Sequence, residues 1–198
     1  YLSTQIIELG IPVLMAVNMM DIVAKSGDKI NLKTLGEKLG CEVVEISALK
    51  GTGIKEAAAK AVDVAKAKKA VQRVHHFADD VEATITTIED KLGNSVSENQ
   101  KRFFAIKLLE RDSKIAEQLK SAPNVDAEIK AIEDKYDDDT ESIITNERYT
   151  YISSIIGSCV KKANAGKETA SDKIDKIVTN RILALPIFAL IMWGVYYI

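Results

Sequence analysis

Six residues in two short clusters have the types and spacing to grip the edge of a purine base: Asn18, Met19 and Asp21, then Ser47, Ala48 and Leu49. An ionised carboxylate only accepts hydrogen bonds, so Asp21 suits a partner with two adjacent donors. Guanine carries such a pair on its Watson–Crick edge, the N1–H and the N2 amine. Adenine offers an acceptor at N1 and no amine at C2. Against it the carboxylate would be left buried and unpaired, at a cost of about 1–3 kcal/mol or more. Asn18 has an amide that can donate to N7 and also pin the neighbouring loop. The backbone N–H of Ala48 can donate to O6, and the small side chains of Ser47 and Ala48 permit that approach. Met19 can cover the ring with apolar surface. Asn-x-x-Asp by itself is a weak signal, and its weight comes from placement.

Both clusters stand at the carboxyl ends of apolar runs, Val13 to Val17 and Val43 to Ile46. In an open α/β sheet, ligands bind in the crevice beyond those ends. The near-continuous apolar run Val13–Val17 suits a parallel strand covered on both faces, and Pro12 starts it where a missing N–H does no harm. Before it, Leu2, Ile6, Ile7 and Leu9 share a helical face that Gly10 stops. Between the strands, Asn31 is an N-cap for a helix over Leu32–Leu39 ended by Gly40. After Glu42–Ile46 comes a turn of small residues, then an Ala/Lys-rich helix from Ile54 to about Arg73. Its Ile54, Ala58, Ala61, Val62 and Ala65 are expected to face inward. Strand, helix, strand, helix is half of a doubly wound sheet. Two strands bury too little to fold well alone, so the remaining strands are expected upstream.

Beyond His75 the pattern becomes all-helical, with no further strand candidate before the C-terminus. Val81, Ile85, Ile88 and Leu92 mark one amphipathic helix, ended by Gly93. Ser97 with Gln100 forms a capping box for the next, which carries Phe103, Phe104, Ile106, Leu108 and Leu109 and which Ile115 and Leu119 extend to a break at Pro123. A long helical region follows from Asn124, with Ile129, Ile132, Tyr136, Ile143, Ile144, Tyr149, Ile152, Ile156 and Val160 at helical spacing. Asp79–Lys162 reads as a small bundle, a separate domain by composition.

Charge and cysteine content exclude some classes. The chain has 27 basic and 29 acidic residues, which argues against a nucleic-acid-binding surface. Cys41 and Cys159 stand alone, as small buried side chains of a protein from a reducing compartment. His75 and His76 are adjacent, so on a helix they diverge and cannot chelate together; a polar linker explains them. Asp126–Arg148 holds nine acidic and three basic residues, a net of −6. Its Asp137, Asp138, Asp139 and Glu141 are the kind of oxygen cluster that can hold a hard cation, but a solvated face or a break between helices is the expected reading. Lys161–Arg181 then carries six basic and three acidic residues, a net of +3. Ile182–Ile198 is 17 residues without a charge. A spanning helix needs about 20, so this run is expected to begin one, with Pro186 tolerated in its first turn. The cations before it place that side in the cytoplasm. The chain begins at Tyr1 without a signal peptide and is expected to be a piece of a longer protein.

Asn18-Met19-Met20-Asp21 and Ser47-Ala48-Leu49-Lys50-Gly51 resemble the fourth and fifth motifs of small G proteins, usually Asn-Lys-x-Asp and Ser-Ala-Lys. Met19 departs from that pattern, standing where a lysine packs over the base. The loss of that cation is expected to weaken nucleotide affinity and speed GDP release. The resemblance narrows to the bacterial ferrous iron transporter family FeoB. YLSTQIIELGIPVLMAVNMMD, INLKTLGEKLGCEVVEISALKGTGI, NERYTYISSIIGSCVKK and SDKIDKIVTNRILALPIFALIMW each resemble the corresponding FeoB stretch, and Asn-Met-x-Asp is characteristic there. Val81–Asp139 matches by pattern more than by motif.

The resemblance implies a fold class: half of a P-loop-GTPase-type doubly wound α/β sheet, an all-α helical bundle, and the start of a transmembrane helix. It implies residues 1–74 as the C-terminal half of a G domain, 75–165 as a helical GDI-like domain that promotes GDP binding, 166–181 as a basic linker and 182–198 as the start of the first membrane helix. The implied ligand is GTP or GDP, read by Asn18, Met19, Asp21, Ser47, Ala48 and Leu49. Mg²⁺ would be held through upstream residues, Fe²⁺ would be the transported ion, and residues 1–181 would lie on the cytosolic side of the bacterial inner membrane. No Gly-x-x-x-x-Gly-Lys-Ser/Thr and no Asp-x-x-Gly ahead of Asn18 occur in the sequence. Those motifs carry phosphates, Mg²⁺ and attacking water. The chain by itself is therefore expected not to hydrolyse GTP, and no catalytic or metal-ligating residue is named. Two other readings remain open, a different membrane-attached G protein whose helical part binds a partner, and a membrane-tethered helical adaptor. A homo-oligomer is compatible with all three.

Overall fold

The computed structural model describes residues 1–68, 74–119, 121–163, 170–180 and 184–197. Contacts gather Tyr1–Lys161 into one compact unit and Lys162–Ile198 into a second.

The first unit opens with α1 (Leu2–Glu8), β1 (Leu14–Val17), α2 (Met20–Ser26), β2 (Lys29–Ile30), α3 (Leu32–Leu39), β3 (Glu42–Glu45) and α4 (Ile54–Ala67). β1 and β3 pair in parallel, Leu14 opposite Glu42 through Val17 opposite Glu45. The crossover between them contains α3, whose caps act as the sequence predicts. The Asn31 Oδ1 accepts the Thr34 N–H at 3.1 Å, and Gly40 closes the helix at φ +69°.

The helical part comprises α5 (Asp79–Leu92), α6 (Lys101–Leu109), α7 (Ser113–Ala116), α8 (Asp126–Tyr136) and α9 (Thr140–Cys159). Val81, Ile85, Ile88 and Leu92 fall on one face of α5 and are essentially inaccessible. They interlock with Ala105, Ile106 and Leu109 of α6, Ile129 and Ile132 of α8, and Ile143 and Ile144 of α9. A smaller cluster, Leu39 with Ile155 and Cys159, lies against Met15, Leu35 and Cys41. α9 therefore serves both cores, its first turns in the bundle and its last under the α/β elements.

Several expectations are corrected. The helical part does contain a strand, β4 (Val160–Lys161), which pairs antiparallel with β2. The Asn31 N–H donates to the Cys159 carbonyl at 2.8 Å and extends that contact. Strands of two residues leave no periodicity to read. Ile115 and Leu119 do not extend α6, because Arg111 takes φ +57° and Asp112 caps a separate short α7. The capping box does not close on the backbone. The Ser97 hydroxyl instead donates to the Gln100 Oε1 at 2.7 Å, around a 3₁₀ turn over Glu98–Gln100. Ile54, Ala58, Ala61, Val62 and Ala65 of α4 are exposed, since no described element covers that face. His75 is not in a solvated linker: its ring stacks on Tyr151 at 4.2 Å and meets the Phe77 edge at 4.5 Å. The acidic run, by contrast, is a helix break as expected, with Asp137 at φ +53° and Asp139 accepting the Ser142 N–H to cap α9.

The second unit holds α10 (Ala170–Val178) and α11 (Ala184–Tyr197). No helix among the described residues is long and apolar enough to cross a membrane. The expected ends of two elements, Lys69–Arg73 after α4 and Arg181–Leu183 with Ile198 around α11, lie outside the described residues, as do 164–169 of the basic linker.

Candidate functional site

The two residue clusters converge where β1 and β3 end side by side. The Ile46 N–H donates to the Val17 carbonyl at 2.9 Å, and the Met20 N–H donates to Ile46 at 3.3 Å, lacing the two exits together. Met19 makes the turn into α2 in the left-handed region, φ +63°, which costs a non-glycine residue about 1–2 kcal/mol. That turn is held by Asn18, whose Oδ1 accepts the Met19 N–H at 2.7 Å and the Ala48 N–H at 3.0 Å. The carboxamide oxygen thus pins the second loop to the first, and its amine is the end left to donate outward.

Asp21, in the first turn of α2, accepts the Ser47 hydroxyl on Oδ1 at 2.8 Å, and its Oδ2 lies 3.7 Å from the Lys50 Nζ. The Ser47 hydrogen bond, aided by the Lys50 charge, outweighs partial burial and lowers the Asp21 pKa below the ordinary carboxylate value. At neutral pH Asp21 is an anion with acceptor capacity to spare. Ser47 is buried, and its backbone pairs with Thr52 in both directions, at 3.0 and 3.1 Å, so the 48–51 loop is closed at its base. Gly53 then turns into α4 at φ +75°. A Cβ there would sit 2.5 Å from the Glu45 carbonyl, so only glycine fits. Met19 and Leu49 project from the rim, 61% and 90% exposed. A cleft of about 560 Å³ opens beside Asp21, Ser47, Lys50 and Thr52.

Each of the six predicted residues is therefore at one place. Asn18 bridges to Ala48, Asp21 to Ser47, and Met19 and Leu49 flank them. The loop-pinning expected of Asn18 is present, and it takes up the Ala48 N–H that was expected to donate to O6. Lys50 beside Asp21 was not anticipated, and the opposite charges of the two at neighbouring strand exits were its readable signal. No cluster of three His, Cys, Asp or Glu that could hold a metal ion occurs among the described residues.

Residues 1–61 match the family model described as ferrous iron transport protein B, and residues 77–161 match that of the FeoB cytosolic helical domain. The Fe(2+) transporter FeoB of Salmonella typhimurium is 32% identical over 194 residues, and that of Escherichia coli K12 is 31% identical. This chain belongs to the FeoB family. The alignments cover 98% of the chain and 25% of each relative, so the chain spans a quarter of the length of these FeoB proteins. Among solved structures, a GDP-bound mutant of the S. thermophilus FeoB G-domain superposes with a TM-score of 0.74 at 38% identity, covering 81% of this chain and 64% of that one. S. thermophilus NFeoB bound to GDP, aluminium fluoride and K⁺ gives 0.72 at 39% identity, covering 78% and 62%. The α/β part thus has the GTPase-type G-domain fold of FeoB, followed by the FeoB helical domain.

Proposed function

We propose that this chain supplies the guanine-reading half of the G domain, the helical domain and the start of the first membrane helix of a ferrous iron transporter. The observation that carries the reading is the pair of bridges Asn18–Ala48 and Asp21–Ser47, which present one anionic acceptor and one amide amine at adjoining strand exits. Asp21 then accepts guanine N1–H and N2 while Ser47 fixes its rotamer. The Asn18 Nδ2 donates to N7. O6 is met by the Ala48 N–H, shared with Asn18, or by the Leu49 N–H beside it. Met19 and Leu49 cover the two faces of the ring, and burying part of such exposed apolar side chains favours binding at about 25 cal/mol per Å².

The domain boundaries proposed are 1–74, 75–165, 166–181 and 182–198. Phosphates, Mg²⁺ and the water that attacks GTP fall to segments outside residues 1–198, which lack the corresponding motifs. The exposed face of α4 is where the remaining G-domain elements would pack. Residues 1–181 are placed on the cytosolic side of a bacterial inner membrane, with nucleotide state regulating Fe²⁺ passage.

The test is Asp21→Asn in the full-length protein, which trades an acceptor for a donor. GDP affinity should drop by about a hundredfold or more, as expected when a charged hydrogen-bond pair is lost, while xanthosine diphosphate, with a carbonyl at C2, should bind better than to the parent. Titration with fluorescent diphosphates reads both. Unchanged GDP affinity removes Asp21 from the role of base reader.

A further inference from the structure

α10 is amphipathic in a way that its own unit leaves unpartnered. Ile174, Ile177 and Val178 stand at i, i+3 and i+4, hence on one face, and they are 61%, 52% and 49% exposed. Asp175 and Lys176 occupy the intervening positions, on the other side of the helix. The Ala184 N–H, at the start of α11, donates to the carbonyl of Asn180, two residues beyond the end of α10, at 2.8 Å. α11 has no polar face: Leu185, Phe188, Leu190, Ile191, Trp193 and Val195 are all more than half exposed and none of its residues is charged. A helix apolar all round belongs in a large core or in lipid.

From this continuity we infer that α10 is an interfacial helix, lying in the plane of an anionic phospholipid surface with Ile174, Ile177 and Val178 in the acyl boundary, while α11 turns into the bilayer. The inference rests on the reading of 182–198 as the start of a membrane helix. Given that reading, Asn180 ties the end of α10 to the first turn of α11, which keeps the stripe at headgroup depth, where amphipathic helices settle about 5–10 Å in. The charge suits the site. α10 itself balances Asp172 and Asp175 against Lys173 and Lys176, and the net positive charge of Lys161–Arg181, six basic and three acidic residues, comes from Lys161, Lys162, Lys167 and Arg181 on its flanks, where cations are drawn to an anionic leaflet.

The test places single spin labels through Ile174→Cys, Asp175→Cys, Lys176→Cys, Ile177→Cys and Val178→Cys, with Phe188→Cys and Ile191→Cys on α11 for reference. The full-length protein is reconstituted in vesicles of phosphatidylethanolamine with phosphatidylglycerol. Collision with oxygen and with a water-soluble nickel chelate is measured at each position. The expected result is a helical period: oxygen exceeds nickel severalfold at 174, 177 and 178, and nickel exceeds oxygen at 175 and 176. In phosphatidylcholine alone the contrast should shrink. Uniform nickel access along α10 with lipid-like values at 188 and 191 overturns the inference and leaves the membrane reading standing. Low access to both reagents at 174, 177 and 178 marks a protein contact and also overturns it. Nickel access at 188 and 191 refutes the membrane reading itself.

Discussion

The two parts of the first unit are held together in opposite ways. The bundle has a dry core to which α5, α6, α8 and α9 all contribute, with Ile85, Ile88, Ile106, Leu109 and Ile144 essentially inaccessible. The α/β part carries the candidate site and little core of its own. Of the three buried residues in its cluster, Leu39 is local, while Ile155 and Cys159 come from α9. The base-reading loops are thus mounted on elements stabilised largely from outside, and a domain of this sort should loosen before its neighbour does. The connection runs through backbone as well: β2 leaves α2, the helix that carries Asp21, and pairs with β4 at the end of α9. A shift in the base loops therefore has a direct path to the exit of the helical domain.

The strongest way to break this picture is at Arg148, the buried guanidinium midway along α9. It holds Glu8 of α1 with two hydrogen bonds, 3.0 and 2.8 Å, bonds Glu110 beyond α6, and is wholly inaccessible. Burial would lower its pKa, but the bonds and charges of Glu8 and Glu110 more than reverse that, so it remains a cation. Removing one partner of such a pair leaves buried charge unpaired, at a cost of about 3–5 kcal/mol. Arg148→Met should therefore lower the urea midpoint sharply, and adding Glu8→Gln should recover part of the loss, Glu110 keeping Lys107 as its partner at 2.6 Å. If Arg148→Met unfolds at the parental midpoint, the α/β part does not depend on α9 in this way.

His75 sharpens the same boundary through pH. Burial, with the nearby Arg102 and Arg148 charges, pulls its pKa down to about 4, with Glu82 opposing. The ordinary value is about 6.5. Between those values the unfolded chain binds a proton that the native chain does not, so stability rises with pH there. The contribution is complete above about pH 6.5 and is lost as pH falls toward about 4; discounted for partial exposure, it is about 1–2 kcal/mol. His75→Phe keeps an aromatic ring against Tyr151 and cannot titrate. Denaturation at neutral pH and near pH 5 should show the parent losing stability and the variant losing less, and equal losses would remove His75 from the account.

What was legible in the chain follows from the range of each signal. Asn31, Gly40 and the runs ending at Val17 and Ile46 act through neighbours in sequence, and α3, β1 and β3 stand where those residues put them. The placement of the candidate site residues was legible for the same reason, each lying within four positions of a strand end. Arg148 was invisible, because an arginine on a helix reads as solvated until Glu8 and Glu110 are brought to it from 140 and 38 residues away. The β2–β4 pairing is equally long-range and too short to pattern. The face of α4 failed for a different reason: alanines at helical spacing look inward-facing, but a face is buried only where something covers it.

The smallest expected effect is the most specific. Met19 occupies a left-handed turn held by Asn18, and its side chain is mostly solvated. Lysine there meets the same backbone strain and buries no more surface, so Met19→Lys should leave the urea midpoint unchanged. In the proposed site it would place a cation over the base, worth about 0.5–1 kcal/mol, which slows GDP release about two- to fivefold. Stopped-flow displacement of a fluorescent GDP from the full-length protein measures that rate. Slower release at constant stability would separate the two parts of the unit cleanly, since a change in the bundle acts on folding and a change at the strand exits acts on a rate. An unaltered or faster release would mean that the base is not covered from the Met19 side, and Leu49 would then have to cover it alone.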